Sequence, residues 1–371
     1  MKIALVASGS AAVPGGQSVQ ADLLVRRLRE EGHEAELIPI DPTFPAGLGW
    51  VRRIPWVRTM LNQLLYLPSL LRLRRADVAQ IFSASYASFF LAPAPAIAVA
   101  RLFGRRVVLN YHSGEADDHL TRHGAWVAPW LRRADALVVP SPWLRDVFAR
   151  HGHDALVIPN AVDLSRFTFR SRPHSPVHLL CTRNLEPIYR VDVVLRAFAM
   201  LRKQGRSVTL TIAGSGSGEE ELRRLALQEG VAVRFAGSVS PPEMPRLYQE
   251  ADLFLNASVV DNQPMSILEA FASGTPVVTT GPGGIPALVT HEETGLLVPE
   301  NDPDALASAV ARLMDDPRLA QRLARQAHER ALRHEWKRVG PAWIQVLSGD
   351  ATAAARRTDE PPAVCRGEAR G

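Results

Sequence analysis

Two acidic residues, Asp261 and Glu269, lie eight positions apart in the stretch "DNQPMSILEAFASG". Met265, Leu268 and Ala272 fall at the i, i+3, i+7 spacing of a helical apolar face. Glu269, four residues after Met265, lies on or beside that face. An unpaired carboxylate is expensive to bury, so a glutamate in this position invites a chemical explanation. If Pro264 opens the helix, the Gln263–Ser266 segment, Met265 included, presents unpaired amides at a positive helix end. Such an end binds anions, with Asp261 just outside it and Glu269 more than one turn inside. The simpler reading is that Asp261 caps the helix and Glu269 reaches water, and one acid pair alone favours it.

Other residues could share in such a site. Arg183 follows the apolar run "VHLLCT", and its planar guanidinium suits phosphate oxygens, although a surface arginine is the commoner outcome. His112 ends the run "RVVLNY", and the carboxyl end of a parallel strand is where ligands are touched. A structural histidine fits that position equally well. His119 and His123 read as surface residues of a polar helix, and with Glu115, Asp117 and Asp118 they match no metal-ligand spacing. Gly15 and Gly16 separate a first strand from a helix, where paired glycines let a backbone approach a phosphate or sugar. An ordinary loop explains them as well, and they form no G-x-G-x-x-G fingerprint. Gly214 and Gly216, in "AGSGSGEEEL", make a tight turn of a common kind.

These residues need elements to position them. Short apolar runs alternate with helical patterns throughout: "KIALVA", "EAELIPI", "DVAQIF", "RVVLNY", "ALVVP" and "ALVIP", then "VHLLCT", "VTLTIAG", "VRFAG", "DLFLNAS", "PVVTT" and "GLLVP". Near-continuous apolar strands between helices imply parallel sheets covered on both faces. The runs are too many for one doubly wound sheet, and 371 residues exceed one ordinary core. The expected fold is therefore α/β, with two Rossmann-like doubly wound parallel-sheet domains facing across a cleft. Aliphatic periodicity lapses in "RFTFRSRPHSPV", so the domains are expected at 1–168 and 177–335. A final helix, 336–348, is expected to return to the first domain, and 349–371 read as a disordered tail. "SPPE" at Ser240–Glu243 reads as a capping box with prolines opening the helix.

Hydrophobic residues make up 46% and charged residues 22%, which suits a soluble globular protein. Two cysteines, Cys181 and Cys365, support no disulfide framework, and "MKIALVASGS" lacks the regions of a signal peptide. The expected location is cytoplasmic. The run Ile81–Ala100 is interrupted by "SASYAS" and prolines and reads as a strand followed by a helix. The formal net charge of +5 favours anionic partners. Nucleic acid is not expected among them, for want of a recognition motif.

Taken together, Arg183, "DNQPMSILEAFASGTPVV" and "VPSPWLRDVF…VIPNAVDLSRF" resemble the retaining, nucleotide-sugar-dependent glycosyltransferases of group 1 (GT4-like), with the GT-B fold. The resemblance spans nearly everything but the tail. It implies that Glu269 binds the ribose of a nucleoside-diphosphate-sugar and Asp261 the donor sugar, with Asp standing where the family usually has Glu. It implies that Arg183 clamps the diphosphate, helped by amides near Met265 and Ser266. Gly15, Gly16 and Gly214 would lie beside the donor, His112 near the transferred sugar, and Val239 against the base. The family's usual Lys-Gly after the arginine appears here as Tyr189-Arg190, so Arg190 is expected to supply the second cation. No metal or other cofactor is implied. The acceptor would be a hydroxyl on a glycolipid, polysaccharide or small molecule.

The stretch Arg52–Arg75 interleaves arginines with Trp56, Met60, Leu61, Leu64 and Leu65. It resembles a membrane-surface helix, implying peripheral contact with anionic membrane at its inner face and a lipid-linked acceptor. A core helix with solvated arginine ends is the other reading.

Overall fold

The computed structural model of the chain describes residues 1–9, 15–44, 54–170 and 177–350. Arg52, Arg53, the 171–176 part of the linker and the tail from 351, Cys365 included, lie outside the described residues. Each apolar run becomes a strand: β1 Lys2–Ala7, β2 Glu34–Pro39, β3 Val78–Ser83, β4 Arg106–Tyr111, β5 Ala136–Val139 and β6 Leu156–Val157 in the first half. The second half holds β7 Val177–Thr182, β8 Val208–Ala213, β9 Arg234–Gly237, β10 Leu253–Asn256, β11 Val277–Thr280 and β12 Leu296–Val298.

They form two six-stranded sheets, ordered β2-β1-β3-β4-β5-β6 and β12-β11-β10-β7-β8-β9. Every pairing between these strands is parallel. Alternate residues feed opposite faces, as the period of two requires: Ala4 and Val6 enter one core of the first sheet, Ile3 and Leu5 the other. Chain direction across the first sheet reverses between β1 and β3, and across the second between β7 and β10. Open parallel sheets bind ligands at the carboxyl ends of strands flanking such a reversal. Gly15 and Gly16 follow β1, Arg183 follows β7, and Asp261 follows β10.

The last helix, Trp336–Ser348, packs Trp336, Val339, Trp343, Val346 and Leu347 into the cluster that holds Ile3, Leu5 and Leu24. Arg106 hooks it further by donating from Nε and Nη2 to the Val346 carbonyl at 3.2 and 3.1 Å. Chain order thus places a helix that follows the second sheet in the core of the first.

Two sequence expectations shift. The helix after "SPPE" begins at Met244, because the Ser240 carbonyl accepts from both Glu243 and Met244 and turns the prolines into a preceding bend. The Glu243 carboxylate still reaches back to the Ser240 hydroxyl at 2.6 Å. His119 is buried rather than exposed, its Nδ1 bonded to the Tyr111 hydroxyl at 2.8 Å. Among the described residues no helix is long and apolar enough to cross a membrane. The run Ile81–Ala100 is β3 followed by the short helices Ala87–Leu91 and Pro93–Leu102.

Candidate active site

The site is assembled where the loop after β10 meets both domains. Pro264 is the cap rather than the first residue of the helix Met265–Ala272, because its ψ of 124° is extended. The amides of Ile267 and Leu268 bond back to the Pro264 carbonyl, whereas those of Met265 and Ser266 have no acceptor among the described residues. Just before the cap, Asn262 and Gln263 bind the first domain. The Ser141 hydroxyl donates to the Asn262 side-chain carbonyl. Asn160 donates its backbone N–H to Gln263 Oε1 at 2.5 Å and its side-chain N–H to the Gln263 carbonyl at 2.9 Å. The buried Gln20 side chain bonds both backbone groups of Ala161 and reaches Met265 Sδ. His334 Nδ1 donates to the Asn160 carbonyl at 3.0 Å and so ties the chain's return to the same point.

Arg183 leaves the carboxyl end of β7 with a side chain only 10% exposed. Nη2 is ion-paired with Asp261, Nη1 donates to Ser266 Oγ at 3.1 Å, and the guanidinium lies 4.2 Å from the Tyr189 ring centroid. Desolvation lowers the pKa of this arginine. The Asp261 carboxylate, then Tyr189, reverse that and hold its pKa above the ordinary value. Asp261 itself bonds Arg183 through Oδ2 and the Asn262 amide through Oδ1.

Glu269 projects from the second turn of the helix into the cleft. Burial pushes its carboxyl up to about 7, opposed by the Tyr248 hydroxyl and by Arg166. Tyr248 is fully buried and also bonds Thr182 Oγ1 at 2.7 Å, which fixes the phenol beneath the carboxylate.

Gly214 closes β8 at a φ of 145°, and a side chain there would collide with the Arg183 carbonyl; one on Gly216 would collide with Leu185. The "GSG" turn therefore holds the Arg183 loop from behind. Gly16 faces Met265, and a Cβ at that position would lie 3.5 Å from Met265 Cγ.

An inner pocket of about 150 Å³ is lined by Gly15, Gly16, Arg183, Gly214, Val239, Met265, Ser266 and Glu269, with Arg166 and Tyr189. Sharing the Val239–Glu269 side, it opens into an outer pocket of about 720 Å³ bounded by Asp22, Arg26 and Asp163. Together they give the room of an ordinary small-molecule site. Most of the residues singled out from sequence thus meet in one cleft between the domains.

Three do not line it. Asp261 is turned to Arg183. His112 is half-buried at the end of β4, stacked 5.2 Å from Phe82 and held neutral by burial, its pKa pushed down to about 4. Its loop nonetheless abuts the site, since Gly114 packs on the Asp261 backbone. Arg190 is the clear correction. It caps the helix Val191–Lys203, with Nε and Nη2 on the Asp192 carboxylate at 2.9 and 3.0 Å and Nη1 on Asn301, outside the cleft. Arg166, Tyr189 and Tyr248 were missed. Arg166 had a signal, as the cation closing "IPNAVDLSRF", and Tyr189 as the aromatic where a lysine was expected. Among the described residues no group of three or more His, Cys, Asp or Glu side chains is placed to hold a metal ion.

A profile described as "Glycosyl transferases group 1" matches residues 167–330, and one described as "Glycosyltransferase Family 4" matches residues 14–166. The chain is 33% identical over 294 residues to "Glycogen synthase" of Mycobacterium tuberculosis (strain CDC 1551 / Oshkosh), covering 75% of this chain and 70% of that protein. Among solved structures, sucrose-phosphate synthase (tll1590) from Thermosynechococcus elongatus aligns with a TM-score of 0.78 at 19% identity, over 95% of this chain and 100% of that one. Anabaena Alr3699/HepE, crystallised with UDP and glucose, aligns with a TM-score of 0.71 at 20% identity, over 94% and 99%. At such identities the structural likeness carries the fold.

Glu269 makes this site a measurable burden on the free protein. Its carboxyl titrates near 7 in the folded chain against 4.5 ordinarily, so its stabilising protonation is full below about 4.5 and lost as pH rises through 7. Above that, the buried charge destabilises by up to about 3 kcal/mol. Glu269→Gln is expected to raise Tm by several degrees at pH 8 and to change it little at pH 4.5, measured by calorimetry against wild type at each pH. An equal gain at both pH values would contradict a charged, buried Glu269.

Proposed function

The chain belongs to the group 1, GT4-like glycosyltransferases with the two-domain GT-B fold, and on that premise we propose that it moves a hexose from a nucleoside-diphosphate-sugar to an acceptor hydroxyl with retention of anomeric configuration. The observation that carries the donor assignment is the polarity of the cleft. One end offers the Arg183 guanidinium and the unbonded amides of Met265 and Ser266, the other the Glu269 carboxylate. A nucleoside diphosphate has the matching order, with anionic oxygens beside a ribose diol that donates hydrogen bonds.

In the reaction the acceptor oxygen bonds to the anomeric carbon as the bond from that carbon to the phosphate oxygen breaks. Negative charge builds on the leaving diphosphate, where Arg183 and the helix amides lower its energy. The acceptor's proton passes to the leaving phosphate on the same face, which accounts for retention and gives His112 and Asp261 orienting roles rather than acid–base ones. The proposed mechanism uses no metal.

The acceptor is proposed to be lipid-linked and reached from the membrane surface. Trp56, Met60, Leu64 and Leu67 project from one side of the helix Pro55–Ser69, continued by Leu71, while Tyr66 and Leu70 anchor the opposite side in the core. Trp56, Met60 and Leu64 are each at least 65% exposed, an apolar stripe unusual on a soluble surface. Arg58, Arg74 and Arg75 make no ion pair among the described residues, and the sequence holds no acid from Pro42 to Ala76. Cationic flanks on an apolar helix face fit anionic headgroups.

Incubation with UDP-, GDP- and ADP-sugars, with and without lipid extract, should release nucleotide from one donor in an acceptor-dependent way. Arg183→Ala is expected to lower kcat roughly 100-fold, and unchanged kinetics would remove it from the mechanism. Acceptor-independent turnover would indicate an epimerase or hydrolase, and donor binding without release a non-catalytic binding protein. Separately, the protein should co-float with vesicles containing phosphatidylglycerol at low salt, less with neutral vesicles, and Trp56→Ala/Leu64→Glu should abolish it. Failure of wild type to co-float, or a dimer dissolved by that double variant, would contradict the membrane assignment.

A further inference from the structure

Arg190 is committed to Asp192 outside the cleft, and Arg166, the other arginine lining the inner pocket, acts on Glu269, which leaves Arg183 as the cation beside the Met265 and Ser266 amides. The placement of the Arg183 guanidinium therefore matters to whatever binds beside those amides. Asp261 and Ser266 hold Arg183 by its N–H edge. An incoming phosphate seeks the same edge, so those contacts are exchanged or shared when the donor binds. The Tyr189 ring holds it differently, by a cation–π contact, with the guanidinium carbon over the ring 4.2 Å from its centroid. An anion competes for the N–H donors, and the cation–π contact uses none of them. We infer that Tyr189 is a positioning residue: its ring holds the Arg183 guanidinium in place while the N–H contacts change from carboxylate to phosphate.

The loop that carries Tyr189 is built for such a role. Tyr189 ends the turn Pro187–Tyr189, with its amide on the Glu186 carbonyl at 3.0 Å. The Val259 amide bonds the Ile188 carbonyl at 2.9 Å and ties the turn to the segment leading to Asp261. Glu186 takes the Ser217 amide and hydroxyl at 3.0 and 2.6 Å, anchoring the other side on the glycine turn after β8. Arg190 then follows at φ 45°, a left-handed conformation that a non-glycine residue holds only under constraint. Its bidentate grip on Asp192, with the further bond to Asn301, supplies that constraint. The second arginine thus serves the site through the loop it fastens. The ring itself is half-buried, and desolvation keeps its phenol protonated, so it presents a neutral face to the cation.

The inference rests on the donor reading of Arg183, and its test separates the two. Tyr189→Phe keeps the ring and should retain kcat and KM within about twofold of wild type. Tyr189→Leu, or Tyr189→Met should the leucine variant not fold, should lower kcat about 10-fold with KM changed less than threefold. An unchanged kcat in the folded aliphatic variant, or equal losses in the phenylalanine and aliphatic variants, would overturn the assignment. Side-chain NMR gives a readout free of turnover: the Arg183 Nε–H signal, identified by its loss in Arg183→Lys, should be shifted upfield by the ring current. That shift should persist on titration with UDP or GDP and vanish in the aliphatic variant. Its absence from wild type overturns the inference, whereas its presence without turnover of any sugar nucleotide would instead contradict the proposed reaction.

Discussion

The segment Asp261–Met265 is the constraint on which the rest of the molecule turns. Within five residues it supplies the partner of Arg183, hydrogen bonds to the first domain from Asn262, Gln263 and Met265, a proline cap and the first unbonded helix amide. It stands at the directional reversal of the second sheet and touches Asn160 and Ser141 from the first. Its own shape is enforced from behind: Gly283, at φ 59°, and Gly284 approach the Asp261 and Asn262 carbonyls more closely than a side chain would allow. Any ligand in the cleft consequently meets a surface whose geometry depends on how the two domains are seated. The return of the final helix onto the first sheet, with His334 bonded to Asn160, adds a second covalent path across the same seam.

The same segment shows how charge is kept in a largely dry place. Arg183 and Asp261 are each close to a tenth exposed, a setting in which a lone ion would be strongly unfavourable. Pairing with each other, with Ser266 and with an aromatic face satisfies much of what water would have supplied. Glu269 lacks such a strong partner and retains a raised pKa instead. In the proposed reaction this asymmetry is useful: the cation is fixed before the donor arrives, while the carboxylate gains its best partners only from ribose hydroxyls. Stability given up at Glu269 in the free protein would then be recovered on binding.

Much of this was legible in the sequence because the signals were local. The apolar runs are long enough and clean enough of polar residues to mark every strand, and strand ends located Gly16, Arg183 and Gly214 at the cleft. Glu269 announced itself by breaking an apolar face. What stayed hidden depended on side-chain direction or on contacts between distant segments. Arg190 lies beside Tyr189 in the chain, yet a left-handed backbone sends it to Asp192 while the tyrosine turns inward to Arg183. His119 sits in a polar-looking helix, and only the packing of Tyr111 and Phe89 makes its position interior. Asp261 was expected to face a sugar, but the nearer arginine claims it. No spacing rule distinguishes a carboxylate aimed at solvent from one aimed at a cation on another strand.

The central claim is that a nucleoside diphosphate binds between the two domains against the Asp261–Glu269 segment. Hydrogen–deuterium exchange with and without saturating UDP, GDP or ADP tests it most directly. With the nucleotide that binds, exchange should slow together at residues 182–189, 214–216, 237–239 and 265–269 of the second domain and at 15–20 of the first. Slowing confined to one domain, or centred on the outer groove around Arg190, Arg196 and Arg224, would contradict the account.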